Sequence, residues 1–184
     1  MNKEEFTSKR EQMMSVKRNA IIAVSKVVRL FTNADIKDFI ITGSQALIIQ
    51  GFMFHRNGDD VDVRVLVPSD ENKRRILMQK LQAWALLYRE QDISEKYTES
   101  TAKQMFTFYV RNTKVNVFAL SEEDYKKIPY NIIQNEYSAE EVSTVLEYKA
   151  EEVGSVLLDK LNLKRGKDYE DFIKCITNFG EICL

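Results

Sequence analysis

Asp38-Phe-Ile-Ile-Thr42, Gly43-Ser44 and Gln45-Ala-Leu-Ile-Ile-Gln-Gly51 read in succession as a short apolar strand, a tight turn and a helix capped by Ser44. After the loop His55-Arg-Asn-Gly58 comes Asp60-Val-Asp-Val-Arg-Val-Leu-Val67, which is β-branched, alternates in polarity and stops at Pro68. That is a strand with one apolar face and one charged face. Successive side chains of a strand project to opposite sides, so Val61, Val63, Val65 and Val67 go to a core while Asp60 and Asp62 share the other face.

Upstream, Ile21, Val24, Val28 and Phe31 recur at three- and four-residue steps in a segment from Phe6 to Phe31 without Gly or Pro, which predicts an amphipathic helix or helix pair. Downstream, the spacing predicts a long helix from Asp70, its cap, to about Gln91. Two strands follow, Met105–Val110 and Lys114–Leu120, joined around Arg111-Asn-Thr113. From Ser138 onward the helical period returns, with a break near Gly166. The expected architecture is α+β, a mixed sheet flanked by helices with a helical C-terminal third. Residues 1–120 would form the core with its N-terminal helix, and residues 121–184 a helical region packed on it as one unit.

The chain has 184 residues, 44% hydrophobic and 30% charged, with 2 Pro and 6 Gly, which excludes collagenous and grossly disordered classes. No run of roughly 20 apolar residues could span a bilayer, and the charged start MNKEEFTSKREQ is unlike a signal peptide, so a cytoplasmic location and no membrane partner are expected. Cys175 and Cys183 have no metal-binding spacing and suggest no disulfide framework. With 27 basic against 28 acidic residues, no global field argues for nucleic acid. Locally, residues 1–30 carry seven bases and three acids, and residues 121–152 three bases and nine acids, as solvated helix faces do.

Two carboxylates about 7 Å apart on one strand face repel each other unless a cation lies between them, and Mg²⁺ suits one or two carboxylates plus substrate phosphate oxygens. A Gly-Ser turn between strand and helix offers backbone N–H groups, a hydroxyl and the positive end of a helix, which together hold phosphate. Either feature alone is common in ordinary surfaces and turns. Their order along one unit of chain is far more specific.

In that order the sequence resembles the nucleotidyltransferase superfamily that includes DNA polymerase β, the aminoglycoside nucleotidyltransferases and the toxin enzymes of type IV toxin–antitoxin systems. The matching residues are Ile40-Ile-Thr-Gly-Ser-Gln-Ala-Leu47 and Arg56-Asn-Gly-Asp-Asp-Val-Asp-Val63, the latter with Gly58 where the pattern has Thr. Far downstream, Leu158-Asp-Lys-Leu-Asn-Leu-Lys-Arg-Gly-Lys-Asp-Tyr-Glu-Asp-Phe172 is similar to the toxin-type signature, with Lys167 where Arg is commoner. The resemblance implies that Gly43, Ser44 and Arg56 bind the nucleotide and that Asp60 and Asp62 ligate catalytic Mg²⁺ or Mn²⁺. It also implies that Lys160 contacts the triphosphate, with Asp168 and Asp171 lining the site or tying helices together. The partners it implies are a nucleoside triphosphate such as ATP and an acceptor hydroxyl on RNA, protein or a small molecule. A cognate antitoxin or a second copy of the chain would be the protein partner.

The third carboxylate of that family comes from a later strand, and here the corresponding residue is Asn116, in Lys114-Val-Asn-Val-Phe118. An amide coordinates through its carbonyl but brings no charge, so metal affinity there falls. Three readings follow: a nucleotidyltransferase working with Asp60 and Asp62, aided by an acid such as Asp59; a nucleotide-binding module of the same fold with impaired catalysis; or an interaction domain with a charged helical tail. His55 reads as a turn histidine rather than a base, and Phe106, Phe108 and Tyr109 as core residues rather than a base-stacking platform.

Overall fold

The computed structural model describes residues 3–53, 55–58, 60–88, 105–139, 142–163 and 165–182. Asp59, Cys183 and the expected end of the third helix near Gln91 lie outside the described residues. Helix α1 (Lys3–Asn33) leads into strand β1 (Phe39–Thr42), helix α2 (Gly43–Ile49), strand β2 (Asp60–Leu66) and helix α3 (Glu71–Leu87). Strands β3 (Met105–Val110) and β4 (Thr113–Leu120), helix α4 (Glu122–Lys126), strands β5 (Tyr130–Ala139) and β6 (Val142–Glu151) and helices α5 (Val153–Leu163) and α6 (Gly166–Ile182) complete the chain. This is an α+β fold on a six-stranded mixed sheet of order β3-β4-β2-β1-β6-β5.

The valine face behaves as its alternation requires as far as Val65, whereas Val67 lies past the end of β2 before Pro68 and is only partly buried. Val61, Val63 and Val65 of β2 and Val115 and Val117 of β4 are fully buried, together with the α1 stripe Val24, Val27, Val28 and Phe31. An aromatic chain, Phe31 to Trp84 to Phe108 with ring centroids 5.5 Å apart at each step, joins α1, α3 and β3, so Phe108 is core as expected. Asp70 caps α3 by accepting from the Lys73 N–H at 2.9 Å. Arg111 and Asn112 turn the β3–β4 hairpin with φ of 45° and 66°, the left-handed pair that a two-residue hairpin turn demands.

The helix expected from Ser138 onward is not where the sequence put it. The described residues from Ser138 to Glu151 are not helical: β5 and β6 pair antiparallel, with Tyr137 opposite Thr144 and Tyr130 opposite Glu151. The helical C-terminal region therefore begins at Val153 rather than near residue 121, apart from the short α4. In β6, Leu146, Tyr148 and Ala150 are wholly or partly buried at every second position, a strand period that the neighbouring Glu and Lys residues disguise. What holds β6 in place is parallel pairing with β1, Ile40 opposite Lys149 and Ile41 opposite Ala150. That pairing extends the sheet and brings Glu151 beside the end of β1.

Candidate functional site

Thr42 of β1 lies directly opposite Asp62 of β2, and Asp62 lies opposite Asn116 of β4. Directly opposed residues share a face, so the sheet itself collects Thr42, Asp60, Asp62 and Asn116 on the side away from the valines. Helices α5 and α6 wall this face. The result is an open cleft of about 840 Å³ whose lining includes Thr42, Gly43, Ser44, Arg56, Asp60, Asp62, Asn116, Lys160, Arg165 and Lys167. The turn and the carboxylate strand, predicted separately, thus face one space.

Gly43 has φ of +66°, and a Cβ there would sit 2.5 Å from Asp62 Oδ2. Glycine is required twice over, by the left-handed backbone and by the approach of the carboxylate. Ser44, expected to cap α2, instead lies within its first turn; Thr42 is the N-cap residue and makes no side-chain cap. Its hydroxyl donates to Glu151 Oε2 instead. Glu151 is fully buried and also accepts from Arg64 Nη1 at 3.2 Å and Ser155 Oγ at 2.5 Å, so a single carboxylate fixes the end of β1, the middle of β2 and the start of α5. Sequence reasoning missed Glu151 because its three partners are drawn from remote or supposedly helical segments.

The carboxylate pair shares one donor. Asn116 Nδ2 lies 2.7 Å from Asp60 Oδ2 and 2.9 Å from Asp62 Oδ1, while Thr107 Oγ1 donates to Asn116 Oδ1 at 3.0 Å. Ionised carboxylates only accept, so the amide turns its NH₂ toward them and its carbonyl toward the threonine. Asn116 therefore faces the site as expected, yet presents hydrogens where a metal ligand would present oxygen. Burial, and then the neighbouring charge of Asp60, pushes the Asp62 carboxyl up to about 6, against the lowering effects of Asn116, Lys160 and Arg165.

Lys160 is 5% exposed. Its ammonium donates to Ser44 Oγ at 3.2 Å, Asp168 Oδ1 at 3.0 Å and Asp171 Oδ2 at 2.9 Å, which uses all three of its hydrogens. Direct contact with a triphosphate, as expected of it, would have to displace one of these. Asp171 is saturated as well: Arg56 grips it with Nε at 3.0 Å and Nη2 at 2.7 Å, and His55 Nε2 lies 2.8 Å from Oδ1. Burial would raise the Asp171 carboxyl, but hydrogen bonds from Arg56 and Lys160 outweigh it and hold the group well below the carboxylate range. Asp168 is lowered in the same way, with burial opposed by Arg165 and Lys160. His55 is thus a partner in an ionic cluster rather than a turn histidine in solvent. Of the two acids, Asp168 lines the cleft and both tie α6 to α5 through Lys160.

Two further lining residues were not singled out from the sequence. Arg165, with a side chain 58% exposed, stands beside Asp168 at the rim. Phe118 shares its strand face with Asn116 and supplies an aromatic wall that Phe108 does not. Asp60 and Asp62 could hold one divalent cation with help from phosphate oxygens, and Asn116 would join them only if its amide turned over. Among the described residues no group of three or more His, Cys, Asp or Glu is arranged to hold a metal ion. No protein-family model and no curated protein sequence matches the chain.

Proposed function

We propose that the protein is a nucleotidyltransferase that moves a nucleoside monophosphate from a nucleoside triphosphate to an acceptor hydroxyl, on the fold of that superfamily. The observation that carries this reading is the contact between Gly43 and Asp62: a strand, Gly-Ser, helix turn abuts the carboxylate pair across one open cleft. Gly43 and Ser44 hold the phosphates, with the first-turn N–H groups of α2 supplementing the Ser44 hydroxyl. Arg165 and Lys167 add positive charge at the wall, and Lys160 fixes the Ser44 hydroxyl. A divalent cation held by Asp60 and Asp62 would neutralise phosphate charge and polarise the reacting phosphorus.

In the transfer, the acceptor oxygen bonds to the α-phosphorus as the bond from that phosphorus to the β-phosphate bridging oxygen breaks. Pyrophosphate leaves, and the hydroxyl proton passes to water in the open cleft. The residues present fit one cation. A second, of the kind that activates an attacking hydroxyl, would meet the Asn116 amide instead of a carboxylate.

That same amide favours a second reading, a nucleotide-binding module without turnover, because it satisfies both aspartates in the absence of a metal. Incubation with each α-labelled triphosphate, Mg²⁺ or Mn²⁺, and RNA, protein or small hydroxylated acceptors separates the two. Transfer of label supports the enzyme. Triphosphate binding with no transfer to any acceptor supports the module.

A further inference from the structure

A second cleft, of about 240 Å³, lies between α1 and the β3–β4 turn, with Asn19, Lys26, Gln45, Asn57 and Thr113 among its lining. Asp60 lines this cleft and the larger one, so this one carboxylate of the pair is the wall common to both. Gln45 is 3% exposed; its Nε2 donates to the Gly58 carbonyl at 3.4 Å, and its Oε1 is buried with no hydrogen-bond partner. A buried acceptor left unmade is costly, and the residue that carries it lines this cleft. Gly58 is what lets Gln45 lie there, since a Cβ at that position would sit 2.5 Å from Gln45 Nε2.

The rest of the lining has a consistent chemistry. Asn19 Nδ2 donates to Asn57 Oδ1 at 3.3 Å, and Thr113 adds a hydroxyl. Lys26 is the one cation in the lining, and its ammonium is engaged by the Arg111 carbonyl and Thr113 Oγ1, both at 3.4 Å. A phosphate-rich chain needs several fixed cations, and Lys26 alone supplies one among the described lining residues. Amides that both donate and accept, beside one carboxylate, match hydroxyl groups.

We propose that this cleft receives the acceptor, an uncharged, hydroxyl-rich ring about the size of one sugar, with one hydroxyl directed at Asp60 from the side opposite the triphosphate. The proposal rests on the transferase reading and names its acceptor class. The test follows the side-chain amide signals of Asn19, Gln45 and Asn57 in ¹⁵N-labelled protein during titration with methyl glucoside, myo-inositol and adenosine, the last presenting ribose as a nucleotide chain would. Inorganic phosphate, a short oligonucleotide and a serine-containing peptide serve as contrasts.

Saturable shifts of the Gln45 and Asn57 signals with at least one neutral polyol, weakened tenfold or more by Gln45→Met and by Asn19→Ala on the exposed face of α1, are expected. Methyl glucoside or inositol acting alone would identify a free polyol, and adenosine alone the ribose of a nucleotide. Shifts with none of the three, or only with oligonucleotide or peptide, would overturn the proposal. Calorimetry of ATP with Mg²⁺ on the same sample keeps the two ideas apart. ATP binding without polyol binding defeats the acceptor cleft alone, whereas polyol binding without ATP binding defeats the transferase reading and with it the acceptor role.

Discussion

The two acidic pairs in this molecule are built in opposite ways. Asp168 and Asp171 are surrounded by Lys160, Arg56, Arg165 and His55, every hydrogen of the lysine is used, and both carboxyls titrate below their ordinary range. Asp60 and Asp62 share the neutral amide of Asn116, and Asp62 titrates above its ordinary range. The first pair is complete as it stands and locks α6 to α5 and to the loop before β2. The second carries charge that its immediate hydrogen bonds do not neutralise, which is the condition of a site that gains by taking up a cation.

That contrast breaks first at the locked pair. Asp171→Ala strands Arg56 and one bond of buried Lys160, and should cost about 3 kcal/mol in chemical denaturation. Asp60→Ala with Asp62→Ala should cost far less in the same experiment, since it relieves crowding. Equal losses would mean that both pairs serve the fold. Gly43→Val forces a β-branched residue to φ of +66° with its Cβ 2.5 Å from Asp62 Oδ2, and about 2–3 kcal/mol of stability together with triphosphate affinity should be lost. Normal nucleotide binding by that variant would put the phosphate cradle elsewhere.

The pH dependence sharpens the comparison further. Asp62 has its folded value raised from 3.8 to about 6, so between those values the native state binds the extra proton. Stability should therefore fall as pH rises through that window, by about 2 kcal/mol, and the slope should disappear in Asp62→Ala. Asp171 and Asp168, both lowered, contribute with the opposite sign and in a different window: their stabilisation is present above 3.8 and lost as the medium becomes more acidic. Melting curves at closely spaced pH values separate the two. The smallest effect is expected for Asn116→Asp, about 1 kcal/mol less stable than the parent in chelator because a third carboxylate replaces an amide donor, with a larger gain on adding Mg²⁺. A metal-induced shift equal to that of the parent would remove Asn116 from the proposed metal site.

What the sequence reveals of this arrangement follows the range of the interactions. The turn at Gly43-Ser44, the alternation of β2 and the β3–β4 hairpin are local patterns and each is present, although Ser44 lies inside the first turn of α2 rather than capping it. The pairing of β5 with β6 is hidden because Glu147, Lys149 and Ala150 have helical or neutral propensity, while the force that makes β6 a strand is its pairing with β1, over 100 residues away. Glu151 escapes notice for the same reason. Asp168 and Asp171, three apart on α6, are visible as one helix face, but their partners Arg56 and His55 lie 115 and 116 residues away for Asp171. Asn116 is legible as a residue facing the carboxylates. The direction of its amide is not, because Thr107 on the neighbouring strand decides it.

The central claim is that the Asp60 and Asp62 pair makes nucleotide binding metal-dependent. Calorimetric titration of ATP into the parent protein, with Mg²⁺ and then with excess chelator, tests it directly. Affinity should be at least tenfold higher with the metal, and the difference should vanish in the doubly substituted Asp60→Ala, Asp62→Ala protein while its melting stays cooperative. Equal affinity in chelator, or a metal effect that survives the double substitution, would contradict the account.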